Sequence, residues 1–126
     1  MDVQDEAALL EIRAKNAAAN FLRKHGYEIV ERDWRCSEGG ADIVARRERA
    51  FVFAEVISQD GNGPFEEENV ASTEKGERIA AACAFMRERG EGGGEMRFET
   101  VLATFFGKDR AVLTHWIDGC IKDCDG

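Results

Sequence analysis

The stretch from Gly39 to Ile57 constrains this chain most: Gly-Gly-Ala-Asp-Ile-Val-Ala, a charged turn, then Phe-Val-Phe-Ala-Glu-Val-Ile. Two short runs rich in β-branched and aromatic residues, joined by a polar turn, predict a β-hairpin. Asp42–Ala45 forms its first strand, Arg46–Ala50 the connection and Phe51–Ile57 the second strand. Side chains alternate on a strand. Glu55 and Ile57 therefore share a face with Phe51 and Phe53, while Val52, Ala54 and Val56 take the other. That alternation, with helices predicted on either side, places Phe51–Ile57 centrally and sets Val56 against a helix layer. Asp42 and Glu55 are acids inside apolar strands, where a carboxylate loses hydration and needs a cation, a metal or a donor. Two readings stand side by side. The pair forms half of a Mg²⁺ site, or Asp42 ends the turn after Gly39-Gly40 and Glu55 pairs with an arginine.

The rest of the chain supplies helices and further strands. Leu10, Ala14, Ala17, Ala18, Phe21 and Leu22 recur at helical spacing within residues 5–25, and Gly26 follows as a C-terminal cap. His25 then belongs to the last helical turn. Tyr27–Arg35 alternates as a strand, and Ser37-Glu38-Gly39-Gly40 turns the chain. Residues 58–71 read as a loop that holds the one proline and three consecutive glutamates, Glu66–Glu68. Ser72 or Thr73 can cap a second helix that ends by Arg89-Gly90 and buries Ile79, Ala82, Cys83 and Met86. Met96–Phe106 reads as a strand, Ala111–Trp116 as a short partner, and residues 118–126 as a frayed tail. The order is helix, three strands, helix, two strands. With 126 residues and no internal repeat, this is one α/β domain spanning 1–126.

Composition narrows the function classes. No apolar run reaches the ~20 residues of a membrane helix, and the acidic N-terminus is unlike a secretory signal; a cytoplasmic location is expected. The formal net charge is −8, which argues against strong non-specific nucleic-acid binding. Residues 1–50 carry 9 basic and 10 acidic side chains, so the rest of the chain carries most of the excess acid and suits a basic protein partner. Any basic surface must draw on residues such as Arg32, Arg35, Arg46 and Arg47. His115, Cys120 and Cys124 lie close in sequence but lack metal-ligand spacing. Cys36 and Cys83 suit small buried hydrophobes.

Several motifs, taken in order, resemble those of the YraN family of small bacterial endonuclease-like proteins. They are Gly26-Tyr27, Arg32-Asp33-Trp34-Arg35, Gly39-Gly40-Ala41-Asp42, Phe53-Ala54-Glu55-Val56-Ile57, Ala71-Ser72-Thr73-Glu74-Lys75 and Arg97-Phe98-Glu99. The resemblance implies a restriction-endonuclease-like α/β fold: a central mixed sheet flanked by helices, in the order α-β-β-β-α-β-β. It implies a PD-(D/E)xK-type site in which Asp42, Glu55 and the Val56 carbonyl hold Mg²⁺. It also implies a nucleic-acid substrate, met by Arg32, Arg35, Arg46 and Arg47. The sequence departs from that pattern where chemistry is concentrated. The lysine expected after Glu-Val is Ile57, a glutamate is replaced at Gly40, and an acidic helix position falls near Lys15. An arginine position is Gln59, and the late aspartate is Glu99. These departures imply impaired catalysis, or a displaced lysine, for which Lys75 is the candidate.

Overall fold

The computed structural model describes residues 3–62, 75–108 and 110–122, with side chains for all of these except residues 3–7 and Lys75. Helix α1 spans Val3–Lys24, and strands β1, β2 and β3 span Glu28–Cys36, Gly39–Arg47 and Ala50–Asp60. Helix α2 spans Lys75–Glu88, and strands β4 and β5 span Glu95–Phe106 and Arg110–Ile121. The strands form one sheet in the order β1-β2-β3-β4-β5. All neighbours are antiparallel except β3 and β4, which run parallel on either side of α2 in the chain. This is the mixed α/β order expected from the sequence.

Both helices end in the same way, and glycine is the reason. Gly26 at φ 88° and Gly90 at φ 73° take the left-handed conformation that a Cβ disfavours. At the first, the Tyr27 and Gly26 amides donate to the carbonyls of Leu22 and Arg23, at 3.0 and 3.2 Å. At the second, the Glu91 and Gly90 amides donate to Met86 and Arg87, at 2.8 and 3.1 Å. Each is a Schellman cap that satisfies carbonyls the helix leaves orphaned.

The core lies on both faces of the sheet. One face of β2 and β3 (Val44, Phe51, Phe53) packs on Phe85 and Met86 of α2. The other (Ile43, Ala45, Val52, Ala54) packs on Ala18, Ala19 and Leu22 of α1. Residues 50–54 are buried without a break because β3 has helices over both faces. The predicted alternation and central position of this strand are what the fold uses.

Most boundaries shift by one or two residues from the sequence reading, and four places differ for a structural reason. The hairpin connection is only Glu48-Arg49, because Arg47 still pairs with Ala50 and Glu48 turns the chain at φ 57°. Gly39 and Gly40 belong to β2, where they pair with Cys36 and Arg35. Strand β3 continues through residues 58–60 because β4 pairs it as far as Asp60↔Phe105. Strand β5 runs on through residues 118–121, where a frayed tail was expected. Gly119, Cys120 and Ile121 pair with Phe98, Arg97 and Met96. Asp118 is anchored by Arg78 of α2 at 3.0 Å and by the Thr100 hydroxyl at 2.6 Å. Residues 63–74, which include the acidic run and the expected cap of the second helix, lie outside the described residues.

Candidate functional site

The candidate site forms where β2 and β3 part. Their ladder ends at Ile43↔Ala54, while β3 carries on alongside β4. Past that point the side chain of Asp42 replaces the backbone as partner, its Oδ2 accepting the Val56 amide at 2.8 Å. The parting strands leave a cleft of about 210 Å³ lined by Arg35, Gly40, Ala41, Asp42, Glu55, Val56 and Ile57. Asp42, Glu55, Val56 and Ile57, singled out in the sequence, are thus brought to one cleft with Arg35.

Cations crowd the Asp42 carboxylate. Arg35 Nη2 donates to Oδ1 at 3.2 Å, and Lys15 Nζ from α1 lies 3.7 Å from the same oxygen. Arg35 is held in place by the carbonyls of Trp34 and Ala41, at 2.8 and 3.0 Å. Gly40 makes room for it: a Cβ there would overlap the Trp34 carbonyl and the Arg35 side chain. Lys15 also donates to Asp33 at 2.7 Å and pairs with Glu11 one turn back at 3.5 Å. Burial works to lower the Lys15 pKa, but the Asp33 hydrogen bond and the charges of Asp42, Asp33 and Glu11 outweigh it and raise it. The hydrogen bond from Lys15 in turn holds the Asp33 carboxyl below its ordinary value. Lys15 is therefore a fixed positive charge across the neutral range.

The other sequence candidates separate. Arg32 lies on β1 near Lys15, its guanidinium bonded to Asn16 at 2.9 Å. Arg46 and Arg47 sit at the opposite, hairpin end of β2, over the rings of Phe51 and Tyr27. The four arginines thus form no single surface, because Arg32 and Arg35 lie on β1 toward the cleft while Arg46 and Arg47 lie at the hairpin end of β2. The Lys75 side chain lies outside the described residues; the lysine placed at the cleft is Lys15. His115 and Cys120 do not converge, since each has its own carboxylate. His115 Nε2 lies 2.5 Å from Glu99 Oε1. Cys120 donates to Glu95 at 3.1 Å, and that bond, with burial and the Glu95 charge, pushes its thiol pKa up. Cys124 lies outside the described residues. Cys83 is a buried core residue, whereas Cys36, near the end of β1, is partly exposed.

The sequence reading missed a buried polar cluster behind the sheet. Glu99 is wholly buried; its Oε1 accepts the Tyr27 hydroxyl at 2.8 Å as well as meeting His115, and its Oε2 has no partner among the described residues. Burial, with Glu99 adding, holds the Tyr27 pKa above its ordinary value against the opposing pull of Arg47, so Tyr27 stays a donor. An acid in the apolar run Met96–Phe106 was the available signal.

A divalent cation fits the cleft poorly. Mg²⁺ demands near-octahedral oxygen ligands, whereas Asp42 already receives one amide and two cationic groups. Among the described residues, no three His, Cys, Asp or Glu side chains gather in a metal-binding group.

The fold and the cleft define a small mixed α/β domain with an ion-paired carboxylate where its central strands part. The chain belongs to the uncharacterised protein family UPF0102, whose model matches residues 14–103. A relative from Nocardia farcinica is 32% identical over 90% of this chain and 89% of its own length. One from Roseiflexus castenholzii is 40% identical over 55% of this chain, and one from Arthrobacter is 42% identical over 59%. The chain spans 56% and 65% of the length of those last two. Among the described residues, no helix is long and apolar enough to cross a membrane.

Proposed function

We propose that this protein is a nuclease-fold domain whose metal-dependent cleavage is impaired and which binds nucleic acid weakly along the β1 side of the cleft. One observation carries the reading: the Asp42 carboxylate is taken by Arg35, Lys15 and the Val56 amide, in a cleft where Ile57 stands in place of the lysine that the motif calls for. Metal-assisted hydrolysis needs free carboxylate oxygens and a cation beside the reacting phosphate. Isoleucine offers no charge, and Mg²⁺ must displace two cations to reach Asp42. Arg32 and Arg35 remain exposed beside the cleft and suit phosphate oxygens. The neighbouring acids Glu11, Asp33 and Glu55 keep such binding weak, and with only two arginines on phosphates its salt dependence is modest.

Purified protein is expected to leave single-stranded, duplex and branched DNA intact with Mg²⁺ or Mn²⁺, and to bind labelled DNA at low salt in fluorescence anisotropy. Arg35→Ala and Arg32→Ala each weaken that binding. Cleavage by the wild-type protein that is lost on Asp42→Ala would overturn the impaired reading, and absence of salt-dependent binding would overturn the nucleic-acid one. The position of Lys15 favours a second reading, a slow nuclease with its lysine displaced onto α1. Lys15→Met then abolishes cleavage. Under the first reading, Lys15→Glu combined with Ile57→Lys removes one of the two cations from Asp42 and restores a charge at position 57. Metal-dependent cleavage then rises by about two to three orders of magnitude, the scale of one electrostatic stabiliser.

A further inference from the structure

The two edges of the sheet are built in opposite ways. Strand β1 carries Glu28, Glu31, Arg32, Asp33 and Arg35 among nine residues. It is also broken by a register shift between Ile29 and Glu31 and by Asp33 at φ 51°. Charges and bulges of this kind stop a free edge from pairing with another chain. Strand β5 has none of these guards along its middle. From Ala111 to Ile117 it holds no Asp, Glu, Lys, Arg or Pro. It also pairs β4 without a shift from Phe106↔Arg110 to Glu99↔Ile117. Its outer edge has no strand partner among the described residues. Val112 and Ile117 are 46% and 59% exposed on it. A long, regular, uncharged edge is a template for strand pairing.

We infer that β5 pairs antiparallel with β5 of a second copy about a two-fold axis at Thr114, extending the five-stranded sheet across the dimer. The sequence of the edge is self-complementary in that register. Val112 stands opposite Trp116 of the second copy, a β-branched residue beside an aromatic, and Ala111 opposite Ile117. Arg110 stands opposite Asp118 of the second copy at each end, just past the regular ladder, where it adds to the Arg78 pairing of that carboxylate and a shifted register would lose the contact. An axis through a residue also lets the outward amides and carbonyls pair whichever alternate set faces out. The cleft between β2 and β3 lies inside the sheet, two strands from this edge, and stays open in the dimer.

Light scattering on a size-exclusion column tests this. Wild type is expected at twice the 14.0 kDa of the chain, shifting toward monomer on dilution. Val112→Lys and Ile117→Lys alter exposed side chains and are expected to give folded monomers with unchanged circular dichroism. Glu31→Arg on β1 is expected to leave the dimer intact. Hydrogen exchange is expected to show outward amides of residues 111–117 protected in concentrated wild type and exposed in Val112→Lys. A wild type that is monomeric at every concentration overturns the inference. So does a dimer that survives both lysine variants, or one that Glu31→Arg dissolves.

Discussion

Val52→Asp is expected to leave the domain unfolded. Val52 is wholly buried on the central strand, paired with Ala45 on β2 and Arg97 on β4, and packed beneath Ala18 and Leu22 of α1. A carboxylate there meets only apolar side chains. An uncompensated buried charge costs several kcal/mol, a large share of the ~5–15 kcal/mol that holds a domain together. The measurement is circular dichroism with thermal melting. A soluble variant with native spectra and a cooperative transition near the wild-type midpoint would show that β3 is not the centre of the core. Val56→Asp, the substitution that alternation alone nominates, is expected to be milder. Val56 is half-buried because β2 has already parted from β3 there.

Glu99→Ala is expected to destabilise by about 3 kcal/mol, from a cavity plus two stranded partners, the Tyr27 hydroxyl and the His115 ring. Glu99→Gln keeps an acceptor for Tyr27 and is expected to cost about half as much. Urea unfolding measures both. An alanine variant within about 0.5 kcal/mol of wild type, the range of an ordinary surface change, would mean that the cluster stabilises nothing. Because Glu99 lies among Tyr27, His115 and the α1 side of the sheet, its loss is expected to leave DNA binding at Arg32 and Arg35 unchanged at temperatures where the variant stays folded.

What the sequence made legible follows from what is local. Strand alternation in Phe51–Ile57, helical spacing in Ala14, Ala18 and Leu22, and glycine after His25 and Arg89 each act within a few residues, and each specified its element. The cleft was half legible. Asp42, Glu55 and Ile57 stood out as exceptions within apolar runs, but Lys15 reads as an ordinary helix lysine until α1 is laid across the sheet. Arg78 is similar. Nothing near it in the chain announces that it binds the carbonyls of Phe53 and Glu99 and the carboxylate of Asp118. That long-range clamp is why β5 outlasts its apparent end at Trp116, where Asp118-Gly119 resembles a turn. His115 lies near cysteines in sequence with no metal-ligand spacing, and its partner Glu99 becomes visible only across the strand pair.

The one parallel ladder in the sheet sets an order of events for folding. Strands β1, β2 and β3 form a meander whose turns close over a few residues, so its pairings cost little chain entropy. Strand β3 meets β4 only across the crossover, where Ala50 finds Glu95, 45 residues away. Contacts that distant in sequence form late and slow the reaction. The meander is therefore expected to be assembled in the transition state, with the β4–β5 half docking afterwards. In stopped-flow measurements, truncating Val44 in β2 should mainly retard refolding, while truncating Val101 in β4 should mainly hasten unfolding. A chain caught between these steps presents the naked flank of β3, apolar on both faces, to every other chain in solution.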